Sequence, residues 1–127
     1  MTIRFATCAD ISGILRLLYQ VGDVHHQIRP DIFRAGALKY DAPALQNLLQ
    51  DSSRPIFVAV EDNTLLGYCF CVIKDYRGSG VQTDRVEVYI DYLCVEETCR
   101  GQGVATALYR HVTNWAKDMG CAFISLN

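Results

Sequence analysis

The sequence predicts a single α/β domain with a mixed sheet, in which an antiparallel meander joins a parallel strand–helix–strand crossover. Three observations carry that prediction. Apolar residues repeat with helical period near the N-terminus and again over residues 104–119, whereas residues 56–95 are β-rich. Asp62-Asn63 marks a tight turn between two of the β-rich runs. Residues 85–126 read strand, helix, strand, and such a crossover joins parallel strands that lie side by side or nearly so.

The elements follow in order. Residues 2–6 form a short β-like run. Thr7 reads as a helix N-cap, with Asp10 three residues on as a variant of the capping box. Ile11, Ile14, Leu15, Leu18 and Val21 share one helical face, and Gly22 is expected to close that helix. Pro30 disfavours helix at Arg29, so 23–41 read as a short helix, a break and a loop through Gly36. Residues 42–50 form a second amphipathic helix with Leu45, Leu48 and Leu49 inward. Residues 56–61 and 65–73 pair as a hairpin. Residues 74–84 include Gly78-Ser79-Gly80 and are expected to be a mobile loop. Residues 85–95 form a long strand. In the helix over 104–119, Leu108, Val112, Trp115 and Met119 make the buried stripe, with Gly120 as C-cap. Residues 121–126 start a last strand.

Composition narrows the function. The chain has 127 residues, enough for one domain spanning 1–127. Half the residues are hydrophobic and a fifth are charged, the balance of a packed globule. A net charge of −2 argues against a general nucleic-acid binder. No Lys/Arg run exceeds one residue, no apolar stretch would span a bilayer, and the N-terminus lacks the apolar core of a signal peptide. A soluble cytoplasmic protein, with neither nucleic-acid nor membrane partners, is expected. Cys8, Cys69, Cys71, Cys94, Cys99 and Cys121 form no CxxC pair. They are expected to be free thiols, mostly buried in strands, with Cys69 and Cys71 on one strand face and no metal site.

The stretch from Leu93 to Ala105 carries the chemistry: Leu-Cys-Val-Glu-Glu-Thr-Cys-Arg-Gly-Gln-Gly-Val-Ala. A strand ends, a glycine-bearing turn follows, and a helix begins. Such a turn presents backbone N–H groups at the positive end of a helix dipole. Glycines let the backbone approach an anion, and Arg100 adds a charge that pairs with phosphate. A Walker loop needs Gly-Lys-Ser/Thr, which is absent. A dinucleotide fingerprint needs a third small residue and an acid after the next strand, yet Gly101-x-Gly103 is followed by Thr106, and 122–127 hold no acid.

Arg100-x-x-Gly103-x-Ala105 resembles the Q/R-x-x-G-x-G/A signature of the GNAT superfamily of acyl-CoA-dependent N-acyltransferases. The element order over residues 2–126 resembles that family too, as does the segment from His26 to Tyr40 followed by Pro55 to Ala59 and Gly67-Tyr68. The resemblance implies an N-acetyltransferase that uses acetyl-CoA as cosubstrate and needs no metal. It implies pyrophosphate binding by the backbone of Arg100, Gly101, Gln102, Gly103, Val104 and Ala105, with the Thr106 hydroxyl available. It places the thioester and pantetheine along Leu93, Cys94 and Val95, on a strand that carries a bulge and splays from the next. An amide there, at Leu93, polarises the acyl carbonyl, because a preorganised N–H stabilises a developing oxyanion.

Acyl transfer to an amine also needs a group that takes the amine proton. Without a bulge, Glu87, Tyr89, Asp91 and Leu93 share one strand face, opposite Val86, Val88, Ile90, Tyr92 and Cys94. Asp91 is the first candidate base and Glu87 the second, although Glu87 could equally partner Arg85. His26, ahead of His25, is a candidate in the acceptor wall. Ser125 and Asn127 share a face of the last strand and are candidates for acceptor contact. The acceptor is expected to be a primary amine, on a small molecule or a protein N-terminus. Direct transfer in a ternary complex is expected over a Cys94 or Cys99 nucleophile. The resembling family continues with a helix, often carrying an acid tyrosine, and two strands. The sequence stops before them, so the domain reads as C-terminally incomplete and no general acid is assigned. Two expectations follow: a homodimer through the strand at 121–126, or, as the alternative to an enzyme, a non-catalytic acyl-CoA-binding or interaction module.

Overall fold

The β-rich and helical segments fold into five strands and three helices in a computed structural model, which describes every residue except Ala37, Ala122 and Asn127 and omits the side chains of Phe123 and Leu126. They are β1 Thr2–Phe5, α1 Ile11–Ile28, α2 Ala42–Leu49, β2 Ile56–Glu61, β3 Thr64–Asp75, β4 Val86–Val95, α3 Val104–Asp118 and β5 Phe123–Leu126. Single 3-10 turns at Cys8–Asp10 and Glu97–Cys99 precede α1 and follow β4. The sheet keeps chain order, β1-β2-β3-β4-β5. Its first four strands are antiparallel, and β5 runs parallel to β4 from Glu87↔Phe123 to Ile90↔Leu126. The mixed sheet and the adjacent crossover strands match the sequence expectation.

Alternation along the strands feeds two cores. Val58, Tyr68 and Phe70 point to the face covered by α1 and α2, where they pack with Ile14, Leu17 and Leu45. Phe57, Cys69 and Cys71 point to the other face, where α3 covers them with Leu108, Val112 and Ala116. Asp62 and Asn63 close the β2–β3 hairpin with φ of 51° and 62°, the left-handed pair that a tight hairpin turn requires.

Four expectations need correction. Gly22 does not end the first helix. It keeps helical backbone, because a glycine inside a helix costs only about 1 kcal/mol, and α1 runs on to Ile28. The short helix expected after residue 23 is therefore the end of α1, which stops at Arg29, the residue that Pro30 restricts. In α3, Met119 is 60% exposed because it lies at the C-cap, and the buried stripe is Val104, Leu108, Val112 and Ala116. Gly120 takes the position after that cap at φ 77°, with Cys121 N–H donating to Ala116 O and Gly120 N–H to Lys117 O. The loop between β3 and β4 is exposed and carries local hydrogen bonds: Arg77 donates to Asp75, Gly78 N–H to Asp84, and Arg85 to Gln82 and Thr83. Only Cys69 and Cys71 among the cysteines are fully buried; their Sγ atoms lie 3.7 Å apart, and all six thiols are free.

The start of α1 follows the capping expectation, one turn early. The Asp10 carboxylate accepts the Thr7 N–H at 2.7 Å and both terminal nitrogens of Arg4 at 2.7 and 3.0 Å. The Arg4 guanidinium holds this buried carboxyl below the usual carboxylate range. Gly67 sets how closely α3 approaches the sheet. A Cβ there would lie 2.9 Å from Cys94 O, 3.1 Å from Leu108 Cδ1 and 3.2 Å from Val104 Cγ1.

Candidate active site

The turn after β4 is shaped by two glycines. Gly101 and Gly103 have φ of 79° and 84°, which side-chain-bearing residues rarely adopt, and a Cβ on either would meet open space. Arg100 enters the turn in extended backbone. Gly103 is the N-cap of α3 and offers no side chain to cap it. The first helical bond runs from Ala107 N–H to Gly103 O at 3.0 Å. The amides of Val104, Ala105 and Thr106 therefore have no intrahelical acceptor. No acidic residue sits in the first turn to offset the dipole. These groups border a concavity of about 400 Å³ rimmed by Val95, Cys99, Arg100 and Thr106. Free amides, a positive helix end and a guanidinium make a cradle that fits a phosphate or pyrophosphate.

β4 supplies the second part of the site. Phe70 pairs with Tyr92, but the next residue of β3, Cys71, pairs with Ile90, so Asp91 is an extra residue in a bulge. The bulge overturns the two-face expectation. Before it, Val88 and Ile90 point toward α3; after it, Tyr92 and Cys94 pack on the α1 side and Val95 on the α3 side. Beyond the bulge the backbone polarity can be followed. Glu96 N–H donates to Leu66 O at 2.7 Å. Antiparallel bonding alternates, so Cys94 and Tyr92 also bond toward β3, while Leu93 and Val95 turn their N–H and C=O groups to the opposite edge. The described β5 pairing reaches only to Ile90, so this edge has no partner among the described residues.

A third element is a groove of about 380 Å³ on the α1 side, walled by Tyr68, Tyr92, His25, Phe33, Leu38 and Lys39. It lies against Tyr92, three residues from Val95 on the rim of the cradle. β4 beyond its bulge thus connects the two concavities. Tyr68 faces Cys94 across the ladder, and burial pushes both the phenol and the Cys94 thiol upward in pKa, against the acidifying pull of Arg100 on the thiol.

The sequence candidates separate clearly in space. Arg100 to Thr106 form one cradle, and Leu93, Cys94 and Val95 lie on the adjoining strand end. Asp91 occupies the bulge, with no ion-pair partner among the described residues. Glu87 is half-buried and bonded to Arg85 at 2.8 Å, six residues and roughly 20 Å of strand from Leu93. His26 Nδ1 bonds to Phe33 O at 2.7 Å and braces the loop after α1. His25 is the histidine in the groove wall, its ring stacked on Phe33 at 4.9 Å. Ser125 is exposed beside Tyr89, level with the first half of β4 and outside the groove wall. Asn127 lies outside the described residues. The sequence reasoning did not find Tyr68, Tyr92, Phe33 or Lys39, which only the tertiary fold assembles. Among the described residues no three His, Cys, Asp or Glu side chains gather as metal ligands, and no helix is long and apolar enough to cross a membrane.

The site thus joins a glycine turn at a helix start to a strand edge with no partner among the described residues. Residues 23–127 match the acetyltransferase (GNAT) family, and the chain belongs to that family. No curated protein matches it. Among solved structures it is similar to the BH1408 protein from Bacillus halodurans, in a tetramutant form, with 28% identity and a TM-score of 0.87 over 100% of this chain and 82% of that one. An acetyltransferase from Vibrio fischeri is 25% identical with a TM-score of 0.77, over 99% and 96% of the two chains. The fold is shared with the ribosomal-protein-alanine N-acetyltransferase from Brucella melitensis biovar Abortus 2308, at 23% identity and a TM-score of 0.73, over 99% and 78% of the chains. It is also shared with the aminoglycoside acetyltransferase meta-AAC0020 from an uncultured soil metagenomic sample, solved with sisomicin, at 17% identity and 0.74, over 99% and 76%.

Proposed function

We propose that this chain is an acetyl-CoA-dependent N-acetyltransferase that moves an acetyl group to a primary amine by direct transfer in a ternary complex. The observation that carries this reading is the continuity of the cradle at 100–106, the open strand edge at Leu93 to Val95 and the groove at Tyr92. Bound acetyl-CoA supplies the thioester carbonyl that the amine attacks. The amides of Arg100 to Ala105 and the guanidinium of Arg100 hold its phosphates, and the Thr106 hydroxyl adds a donor. The outward N–H groups of Leu93 and Val95 bond along the pantetheine arm, and Leu93 N–H faces the acyl oxygen. Asp91, in the bulge just before Tyr92 and the open edge, takes the amine proton as the C–S bond breaks and coenzyme A leaves as its thiolate, which is protonated from solvent. Glu87 is held by Arg85 and is the weaker candidate. The groove receives the amine, on a small molecule or a protein N-terminus, with His25 in its wall and His26 bracing the loop. Ser125 and Asn127 remain outer acceptor contacts in this reading, and a second copy adds at the β5 edge in a homodimer.

The test is a thiol-release assay with acetyl-CoA and a panel of amines. Amine-dependent thiol release is expected, with acetylated amine detected by mass spectrometry. Tight acetyl-CoA binding without turnover on any amine would favour a binding module instead.

A further inference from the structure

The groove beside Tyr92 carries charge of one sign. Arg34 and Lys39 lie in its wall, and none of the described residues lining it is a carboxylate. Neither cation enters an ion pair among the described residues. Lys39 Nζ stands 3.8 Å above the centre of the Tyr92 ring, at the end of the groove nearest the strand edge. Asp91, next to Tyr92 on β4, is unpaired among the described residues but does not line the groove. Three carboxylates on α1, its following loop and α2 are engaged elsewhere. Asp31 is bonded to Arg29 at 3.0 and 2.8 Å, Asp41 accepts the Ala44 N–H at 2.9 Å as the cap of α2, and Asp23 accepts from Gln27 at 3.0 Å. The remaining wall is apolar or aromatic, from Leu18, Phe33, Leu38, Tyr68 and Tyr92.

We infer that the groove selects an amine that also bears a carboxylate on an apolar or aromatic body, and that it rejects polycations. The inference rests on the acetyltransferase reading and names the acceptor class for it. A guanidinium offers a carboxylate two parallel hydrogen bonds, and a nearby ammonium adds a point charge. The aromatic wall buries a ring or alkyl body and orients it by edge or face contact. A polyamine would bring one amine to the Asp91 end and its further positive charges against Arg34 and Lys39, with no carboxylate in the described groove wall to offset them.

Binding to the full chain saturated with coenzyme A tests this by calorimetry with three probes: N-acetylphenylalanine, its carboxamide, and spermidine. The acid is expected to bind at least tenfold more tightly than the carboxamide, with spermidine weakest. In the double variant Arg34→Met, Lys39→Met the acid-to-carboxamide ratio should collapse to within about threefold. Equal binding of acid and carboxamide, no binding of either at millimolar concentration, or tighter binding of spermidine would overturn the inference. Thiol release with phenylalanine and phenylalaninamide separates it from the broader reading. Turnover of both amines at equal kcat/KM defeats the selectivity and upholds transfer. An acid preference in binding with no turnover of any amine upholds the selectivity and defeats transfer.

Discussion

The cradle at the start of α3 is made of main chain, and the groove beside Tyr92 is made of side chains. In the cradle, Gly101 and Gly103 hold left-handed backbone, and three amides at the helix start lack intrahelical acceptors. Residues 100–106 supply most of it, with Val95 and Cys99 on its rim. The groove draws on α1, the loop that follows it, β3 and β4, which are far apart in sequence. In the proposed reading the main-chain site would take what every acyl-CoA shares, its phosphates. A side-chain site can vary residue by residue, and in the same reading it would face the acceptor, which differs from enzyme to enzyme. The two should therefore fail differently: cradle changes alter coenzyme affinity, and changes at the strand end and groove alter turnover and choice of amine.

The largest expected effect falls on the strand between them. Asp91→Asn keeps size and loses the basic charge, so turnover should fall about 10²-fold, roughly 2.7 kcal/mol. Acetyl-CoA affinity, read by calorimetry, should hold within twofold. Unchanged turnover would remove Asp91 from the chemistry. Next comes the anchor of the helix that walls the groove. Asp10→Asn should destabilise the fold by about 2 kcal/mol at pH 7 in urea titration, because it weakens a charge-assisted network with Arg4 and the Thr7 amide. The Arg4 bond lowers the Asp10 pKa, so its contribution is complete above the unfolded value of about 3.9 and disappears as pH falls through the folded value. The wild-type chain should lose this increment on acidification, and the variant should show no such loss from this site.

Gly103→Val should lower acetyl-CoA affinity more than tenfold, about 1.4 kcal/mol or more, since it forces a branched residue to φ 84° in the turn that lines the cradle and shifts its amides. A folded variant with wild-type affinity would dissociate this loop from the coenzyme. The smallest effect is expected at the far end of β4. Glu87→Gln should change kcat by less than about threefold, because that carboxylate is held by Arg85 and lies far along the strand from Leu93. A large loss there would move the proton acceptor away from the bulge.

The same division explains what could be read before the fold was seen. The cradle, the element order and the parallel crossover were legible, because each rests on local pattern: glycines at fixed spacing, a Thr-x-x-Asp start, a turn at Asp62-Asn63. The end of α1 was misread because Gly22 in a helical backbone is indistinguishable by type from Gly22 at a cap. The bulge at Asp91 leaves no mark in the alternation of Val86 to Cys94, yet it decides that Tyr92 and Cys94 face α1. His25 and His26 differ by one residue, about 100° around a helix, and only the position of Phe33 assigns one to the groove and the other to the loop. The groove itself was illegible because Tyr68, Tyr92, Phe33 and Lys39 meet only after the sheet and loop have folded.

Gly67 gives the sheet and α3 a joint without a spacer. Val104 and Leu108 rest on bare backbone at that point, and Val104 is the first residue of the helix whose leading amides form the cradle. The opposing surface includes Cys94 O, which belongs to the strand that holds Leu93. Gly67 thus works as the zero of a ruler whose two marks are the amides at the start of α3 and the Leu93 amide, the proposed phosphate and acyl contacts. A side chain there would act as a shim, lifting one mark relative to the other. Displacements near 1 Å between binding and reacting groups are enough to slow transfer strongly. In the proposed reading the missing methyl would therefore keep the two ends of one long cosubstrate in gauge, from a position outside both.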